Sequence, residues 1–182
     1  MAFSFYSTKA KRCLDKVSLS DEYKYIIWRP SITNLCPPGT PFFPFFAWWL
    51  FHYLHIFSNK DYCVLLILHD NNVVHRSLIT PKYFRFPFMG NNDLQLGDIW
   101  TDPAFRGQGL ATAAISYIFN HFEFEGIKLW YVVQQNNLPS IKLAEKNGFS
   151  LDGKGERHSL YGIPLLGYYN LSINTNFHDE DI

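Results

Sequence analysis

The hydrophobic positions along this chain recur with two different periods, and these periods predict its secondary structure. Apolar runs of strand length, bounded by turn residues, predict strands at residues 23–28, 62–68, 73–80, 94–101, 127–133, 150–153 and 161–170. Helices are predicted at residues 45–57, at residues 110–122 and after Asn137. Within 110–122 the apolar residues recur about every 3.6 positions, so one face of that helix should belong to the core.

The order of these elements predicts the fold class. Strands cluster early and helices connect the later strands, which is typical of an α/β domain with a mixed sheet covered by helices. The turn His-Asp-Asn-Asn at 69–72 predicts a hairpin. We expect one domain over 1–182, with an N-terminal extension at 1–20, a first strand at 23–28 and a polar, frayed tail at 174–182.

Composition and charge exclude several classes of protein. With 182 residues, of which 47% are hydrophobic, the chain is long enough to bury one core. Its 16 basic and 16 acidic side chains give a net charge of zero and no electrostatic case for a nucleic-acid partner. Cys13, Cys36 and Cys63 are odd in number and widely spaced, which argues against disulfides and a zinc site. We therefore expect a cytoplasmic protein with no metal.

The segment that follows the strand at 94–101 has the features of an anion-binding loop. The first N–H groups of a helix have no intrahelical partner and carry partial positive charge, so they can bind a diphosphate. Gly107 and Gly109, which have no Cβ, let the backbone approach such a ligand closely. Thr112 stands where a dinucleotide-binding loop needs its third glycine, and no Gly-Lys-Ser/Thr of a P-loop occurs. Both common nucleotide loops are therefore excluded.

Two motifs carry a resemblance to a known family. The run Arg-Gly-Gln-Gly-Leu-Ala at 106–111 resembles the acyl-CoA loop of the GCN5-related N-acetyltransferases, whose pattern is Arg/Gln-x-x-Gly-x-Gly/Ala. The segment 137–149 is similar to that family's Asn-x-x-Ser-Ile-x-x-x-Glu-Lys-x-Gly-Phe helix, in the variant of its ribosomal-protein alanine acetyltransferase branch. In that segment Asn137 is also a good helix cap and Gly148 a helix stop, followed by the inward-turning Phe149.

The resemblance implies this family's α/β fold, acetyl-CoA as the donor and direct attack of an amine on the thioester. Backbone amides near the end of the strand before the loop would hold the pantetheine arm, here at Ile99, Trp100 and Thr101. Asn137 would contact the same arm or a water molecule in the site. The pyrophosphate would bind the residues of the loop, which are Arg106, Gly107, Gln108, Gly109, Leu110 and Ala111.

The proton donor departs from the commonest pattern of the family. Many relatives carry a tyrosine at the position of Ala144, and alanine has no proton to donate. Ser140 takes over this role by the resemblance, although a first-turn serine can also simply bond its own backbone. For the general base, Asp98 and His75 are the candidates, and Glu156 and His158 are weaker ones.

The acceptor is predicted from the residues around the expected site. Basic and aromatic side chains there, including Arg76, Arg85 and Lys82, suit an anion attached to a stacking group. We expect a small-molecule amine, best matched by an amino sugar of surface-polysaccharide synthesis, either free or carried on a nucleotide diphosphate. A protein N-terminal α-amine is an alternative acceptor. A non-catalytic acyl-CoA-binding module is a third possibility, supported by Ala144.

The aromatic segment 42–57 has several interpretations. Pro44, His52 and His55 interrupt it, and it is shorter than the roughly 20 residues that cross a bilayer, so we expect no membrane span. We consider three alternatives for this segment: a helix packed on the sheet near the acceptor site, a homodimer surface, or an interfacial anchor.

Overall fold

The structure, a computed structural model, describes residues 2–9, 19–122, 126–160 and 163–173. The strands are β1 (Ala2–Lys9), β2 (Tyr23–Trp28), β3 (Cys63–His69), β4 (Asn72–Pro81), β5 (Leu94–Thr101), β6 (Lys128–Gln134), β7 (Ser150–Leu160) and β8 (Ile163–Ile173). The helices are α1 (Phe42–Tyr53), α2 (Leu110–His121) and α3 (Leu138–Lys146), with a short 3-10 turn at Pro103–Phe105.

Among the described residues, the strands form one mixed sheet in the order β2-β3-β4-β5-β6-β1-β7-β8. The pair of β5 and β6 is parallel, whereas the other neighbours are antiparallel. The turn between β3 and β4 is the predicted hairpin, with Asp70 and Asn71 at φ 50° and 61°, the backbone that a two-residue hairpin turn requires. The predicted fold class, an α/β mixed sheet flanked by helices, is confirmed.

Helices cover both faces of the sheet. Successive residues of β3 point alternately into two hydrophobic cores, one on each face of the sheet. Leu65 packs in the core that α2 and α3 cover, and Leu66 packs in the other core with Phe45 of α1. Because both faces are covered, β3 is a nearly continuous apolar run rather than an alternating one. The helix at 110–122 buries the face that its periodicity predicts, including Leu110, Ala114, Ile115 and Ile118.

The strand predicted at 23–28 is observed with those bounds, but the prediction that it is the first strand is wrong. The strand at 23–28 is second in the chain, because residues 2–9, inside the expected extension, form β1. This strand lies between β6 and β7, and its Phe5 is fully buried. Its polar residues conceal it in the sequence, since Ser4 and Ser7 are buried too and the Ser7 hydroxyl donates to Asp152 Oδ2 at 2.7 Å. Cys13 and the tail 174–182 lie outside the described residues.

Helix α1 begins and ends a few residues earlier than predicted, at Phe42 and Tyr53. Phe45 is its buried anchor, so one side packs on the sheet as the first of the three interpretations expects. The other side is exposed, with Phe43 83% and Phe42 52% accessible. In the part of the chain that the structure describes, no helix is long and apolar enough to cross a membrane. The dimer surface and the interfacial anchor stay predictions.

A buried carboxylate fixes the beginning of the parallel pair. Asp93, immediately before β5, accepts hydrogen bonds from the backbone N–H groups of Gly90 at 2.7 Å and Lys128 at 3.1 Å. It also accepts one from the indole N–H of Trp130 at 2.9 Å. Lys128 and Trp130 belong to β6, so a single side chain connects both strands at the end where they pair.

Replacing Asp93 by alanine should lower the free energy of unfolding by about 3 kcal/mol, because hydrogen bonds to charged groups are worth roughly 1.5–3 kcal/mol and a buried indole N–H loses its acceptor. Urea denaturation measures the change. The matched control is Asp61→Ala at an exposed position, which should cost less than about 0.5 kcal/mol. Similar losses in the two variants would contradict this role of Asp93.

Candidate functional site

The sheet opens between β5 and β6. The two strands pair at Leu94–Leu129, Gln95–Trp130 and Leu96–Tyr131, and in the described residues no further pair follows. Beyond Leu96 a cleft of about 240 Å³ separates them, and Asp98, Ile99, Asn137 and Ser140 are among its lining residues. Backbone groups on the facing edges of the two strands can therefore bond a ligand instead of each other.

A bulge in β5 sets the position of Asp98, which lines this cleft. The register between β4 and β5 shifts between Arg76 and Leu78, and Asp98 has a φ of 40°. Gly97 precedes it, where a Cβ would lie 2.7 Å from the Gln95 side chain. The Arg76 guanidinium holds Asp98, with Nε donating to Oδ2 at 2.7 Å and Nη2 to Oδ1 at 3.4 Å. This ion pair explains a carboxylate in an otherwise apolar strand.

Arg76 is itself held between aromatic rings. Its guanidinium carbon lies 4.8 Å from the ring centroid of Trp100 and 5.9 Å from that of Phe45 in α1. The Arg76 side chain is 12% exposed, so the ion pair with Asp98 is partly sheltered from water. The predicted substrate residue Arg76 and the predicted base Asp98 are thus neighbours on the α1 side of the sheet.

A second cavity, of about 320 Å³, lies at the start of α2. Gly107 and Gly109 have φ values of 79° and 81°, and a Cβ at either would meet nothing within 4 Å. The left-handed backbone, rather than crowding, is therefore what requires glycine at these two positions. The cavity is lined by the predicted residues Thr101, Arg106, Gly107, Gly109, Leu110 and Ala111, together with Lys142 and Lys146.

Hydrogen bonds fix the shape of this loop. The Asp102 carboxylate accepts from the Ala104 N–H at 2.9 Å, and Arg106 Nε donates to the Thr101 carbonyl at 3.2 Å. Gln108 uses its side chain within the protein, since Oε1 accepts from the Tyr23 hydroxyl at 2.9 Å. Gln108 is accordingly the one predicted loop residue that is not among those lining the cavity.

Two lysines at the loop cavity were missed by sequence reasoning. Lys142 and Lys146 stand four residues apart on α3, so they lie on one face of that helix. With Arg106 they surround the start of α2 with three cationic side chains. The spacing is visible in the sequence, but it points to this site only once α3 is known to lie beside the glycine loop.

The first turn of α3 reaches the β5–β6 cleft. Asn137 caps the helix, as predicted, by accepting from the Ser140 N–H at 3.3 Å. Ser140 and Tyr131 line the cleft with Asn137. Burial raises the pKa of Tyr131, and a hydrogen bond with the Ser140 side chain partly opposes that shift. Ala144, one helical turn after Ser140, is fully buried.

His75 lies away from the reacting region. It is fully buried, and it pairs with Ile67 on the face that α2 covers. Its Nδ1 lies 2.8 Å from the Thr101 hydroxyl and its Nε2 2.9 Å from the Ser77 hydroxyl. Burial, with the neighbouring Arg76, lowers the pKa of His75 to about 3 and keeps the imidazole neutral. This placement argues against His75 as a base and favours a role in positioning Thr101.

The remaining candidates are farther from the cleft. The backbone carbonyl of Arg85 accepts a hydrogen bond from the backbone N–H of Tyr169 in β8, at 2.9 Å. The Tyr169 ring in turn packs against Phe3, which lines the cleft, with ring centroids 4.9 Å apart. Glu156 and His158 belong to β7, which β1 separates from β6. No cluster of three His, Cys, Asp or Glu side chains that could hold a metal occurs among the described residues.

The sequence profile of the acetyltransferase (GNAT) family matches residues 25–149. A Drosophila protein from a structural genomics programme aligns with 84% of this chain and 48% of its own, at 15% identity and a TM-score of 0.54. A GCN5-related N-acetyltransferase-like protein from Streptococcus suis aligns with 85% of this chain and 59% of its own, at 19% identity and a TM-score of 0.53.

The ribosomal-protein-S18-alanine N-acetyltransferase from Escherichia coli also matches, over 75% of this chain and 80% of its own, at 17% identity. Its TM-score of 0.45 is too low to indicate an acceptor. No protein of curated function matches the sequence.

The first two structures share the fold, and the chain spans about half to three-fifths of their length. The family profile covers more than half of the chain, and its matched region contains the bulged β5, the glycine loop and α3. The predicted resemblance is thereby confirmed, and the chain belongs to the GNAT acetyltransferase family.

Proposed function

We propose that this chain transfers the acetyl group of acetyl-CoA to the amine of a small molecule. The observation that carries the proposal is that the loop cavity and the β5–β6 cleft adjoin. Pro139 and Thr101 line the loop cavity, whereas Ser140 and Ile99 line the cleft. On α3 the two lining residues are adjacent in the chain, and on β5 they are two positions apart. A pyrophosphate at the loop would therefore place the thioester in the cleft, beside Asp98 and Ser140.

The loop cavity offers what a pyrophosphate requires. The first N–H groups of α2 point out of the helix without intrahelical partners, and the helix start carries partial positive charge. Arg106, Lys142 and Lys146 add cationic donors on the other sides. The pantetheine arm would then bond the backbone of β5 from Thr101 to Ile99, where the sheet has opened. Asn137 lies at the same opening.

The cleft offers a base and an acid on different elements. The acceptor nitrogen attacks the thioester carbonyl, the new N–C bond forms and the C–S bond breaks. Asp98 takes the proton that the nitrogen loses, and the hydroxyl of Ser140 protonates the departing thiolate. The carboxylate comes from the bulge of β5 and the hydroxyl from the head of α3, so the two groups would flank a thioester bound between these elements.

Arg76 supports an acceptor that carries an anion. Two of its five N–H groups bond Asp98, and the remaining ones can bond phosphate. Trp100 and Phe45 hold the guanidinium, and the helix that carries Phe45 also exposes the rings of Phe42 and Phe43. An amino sugar attached to a nucleotide diphosphate provides the phosphates and the stacking base for such a surface.

Acetyl-CoA should raise the melting temperature of the protein, because a ligand at about 100 times its Kd adds roughly 2.7 kcal/mol to the stability of the folded state. NAD and ATP should raise it much less. Differential scanning fluorimetry measures these shifts. No shift at saturating acetyl-CoA would refute binding of the donor.

Lysine variants test which side chains contribute to the binding of acetyl-CoA. The double substitution Lys142→Gln and Lys146→Gln should weaken acetyl-CoA affinity about tenfold, the equivalent of roughly 1.4 kcal/mol. Lys24→Gln, at an exposed position of β2, should leave it unchanged. Equal affinity in both variants would remove the two lysines from the donor site.

Replacing Asp98 by asparagine should lower turnover by about 10²-fold, since this is the usual contribution of a positioned base. The loss should be largest at low pH, where the acceptor amine is mostly protonated. Thiol release from acetyl-CoA is recorded from pH 6 to pH 9. The control is Asp152→Asn on β7, which is also in an ion pair but with Lys128, at 3.5 Å. A flat loss across the whole pH range would argue against Asp98 as the base.

A panel of amines identifies the acceptor class through the release of free thiol from acetyl-CoA. We expect nucleotide-linked amino sugars to react faster than free amino sugars and peptide α-amines. In Arg76→Gln the kcat/KM ratio of linked to free amino sugar should fall about tenfold, because a phosphate contact is lost. Faster reaction of peptide α-amines would favour a protein acceptor. Donor binding without reaction of any amine would indicate a binding module.

A further inference from the structure

Helix α1 is apolar around its whole circumference, yet the protein covers only one side of it. Apart from His52, its twelve residues are aromatic, aliphatic or proline, and among them Phe45 alone is buried. A helix that is hydrophobic on every side belongs in a protein core or against a lipid phase. On the uncovered side of α1, Phe43 is 83% and Leu54 65% exposed. The described part of the chain supplies nothing that covers these side chains.

Four aromatic residues, spaced four, three and four positions apart, form a continuous stripe along α1. The ring centroids of Phe42 and Phe46 lie 5.3 Å apart, those of Phe46 and Trp49 5.7 Å, and those of Trp49 and Tyr53 4.7 Å. The indole N–H of Trp49 donates to the Ser31 carbonyl at 2.9 Å, so this ring can enter an apolar phase without leaving a donor unbonded. Tryptophan and tyrosine are enriched where proteins meet the membrane–water interface.

The exposed apolar surface extends beyond the helix. In the described residues, more than half of the exposed large apolar side chains lie on α1 or on segments beside it, and this α1 patch includes Ile32, Phe42, Phe43, Leu54, Ile56 and Phe84. Ile32 follows the residue that Trp49 bonds, and the Phe84 ring lies 5.9 Å from that of Phe51. Because exposed side chains occur at both ends of α1, the helix can lie flat on a surface.

Acidic residues are missing from the segments that form the α1 patch. The chain has 16 acidic and 16 basic side chains, yet residues 23–60 and 71–92 contain no aspartate or glutamate. The lysines and arginines of these two ranges are Lys24, Arg29, Lys60, Arg76, Lys82 and Arg85. These segments therefore carry positive charge, although the chain as a whole is neutral.

Three of these basic residues follow α1 or lie on the segment beside it. Lys60 comes shortly after the helix, and the backbone carbonyl of Lys82 accepts a hydrogen bond from the Ser58 N–H at 2.9 Å. Arg85 follows the exposed Phe84 directly. Asp61 offsets one of the three charges and leaves an excess of positive charge beside the rings. Such a surface complements anionic lipid headgroups.

We propose that the α1 patch docks this protein on the surface of a membrane that contains anionic lipids. The rings of the patch enter the headgroup region, and the basic side chains beside them pair with lipid phosphates. With twelve residues α1 is too short to cross a bilayer, so the protein lies on the membrane. Docking does not depend on acetyl transfer, because α1 contributes no residue to the lining of the loop cavity or the β5–β6 cleft as the structure describes them.

The test is co-sedimentation of the full chain with vesicles of phosphatidylcholine alone and with vesicles of phosphatidylcholine and phosphatidylglycerol in equal amounts. The protein should pellet with the mixed vesicles and much less with the neutral ones. The double substitution Phe43→Ser and Leu54→Ser should lower its partition coefficient on mixed vesicles at least about tenfold, because two apolar side chains no longer enter the lipid.

The matched control is the double substitution Leu138→Ser and Leu151→Ser. These residues are 61% and 43% exposed, and they belong to the opposite side of the sheet. Leu138 is in α3, and Leu151 pairs with Tyr6, which packs in the core that α3 covers. This variant should bind the mixed vesicles as the unmodified protein does.

The charge contribution is measured separately. The double substitution Lys60→Glu and Lys82→Glu should lower binding to mixed vesicles about tenfold or more and leave binding to neutral vesicles unchanged, because anionic headgroups attract lysine and repel glutamate.

Brominated lipids test contact with the unmodified protein, so the proposal stays testable if the α1 variant fails to fold. They should quench its tryptophan fluorescence, and Trp49→Phe should reduce the quenched fraction.

Absence of pelleting and of quenching in the unmodified protein would overturn the proposal. Equal losses in the α1 variant and its matched control would do the same. A dimer in analytical ultracentrifugation that Phe43→Ser with Leu54→Ser dissociates, without any vesicle binding, would identify a second copy of the chain as the occupant and also overturn membrane docking. Thiol release from acetyl-CoA tests the proposed function independently of all these outcomes.

Discussion

The site depends on a parallel strand pair that stops early. In the described residues, β5 and β6 pair at three positions and then diverge, while β4 and β1 hold their outer edges in antiparallel ladders. Diverging strands leave backbone groups unbonded on both facing edges, which is costly unless a ligand or water bonds them. Asp93 fixes the closed end of the pair and the bulge at Asp98 shapes the open end. A binding cleft inside a sheet follows from these two constraints.

Two consecutive residues of β4, His75 and Arg76, lie on opposite faces of the sheet. Successive side chains of a strand point to opposite faces, so His75 lies under α2 while Arg76 faces α1. His75 is kept neutral by burial and supports Thr101 at the loop cavity. Arg76 holds Asp98 in an ion pair, with Nε 2.7 Å from Oδ2. The cleft is therefore lined by Ser140 on its α3 side and by Asp98, which is paired with Arg76, on its α1 side.

Local features of the sequence determined most of the elements. The strand at 94–101 has the predicted bounds, and Asn137 and Gly148 mark α3 as expected. Capping residues, glycines with positive φ and apolar periodicity act within a few residues, so a single sequence exposes them. The glycine loop is local in the same sense, because its chemistry comes from one helix start. It therefore led to the family before any tertiary contact was known.

Tertiary contacts decided the rest, since they join residues that are distant in the sequence. Residues 2–9 mix apolar and polar residues without a clear strand pattern, and they become a central strand only because β6 and β7, more than 100 residues later, pair with both of its edges. Equally, the apolar surroundings of Asp98 gave no sign of Arg76, which reaches it through a register shift between strands. Tyr131 is an ordinary strand tyrosine in the sequence. Only the packing of α3 on β6 brings it to the cleft that Ser140 also lines, because side chains from different elements meet only once the chain is folded.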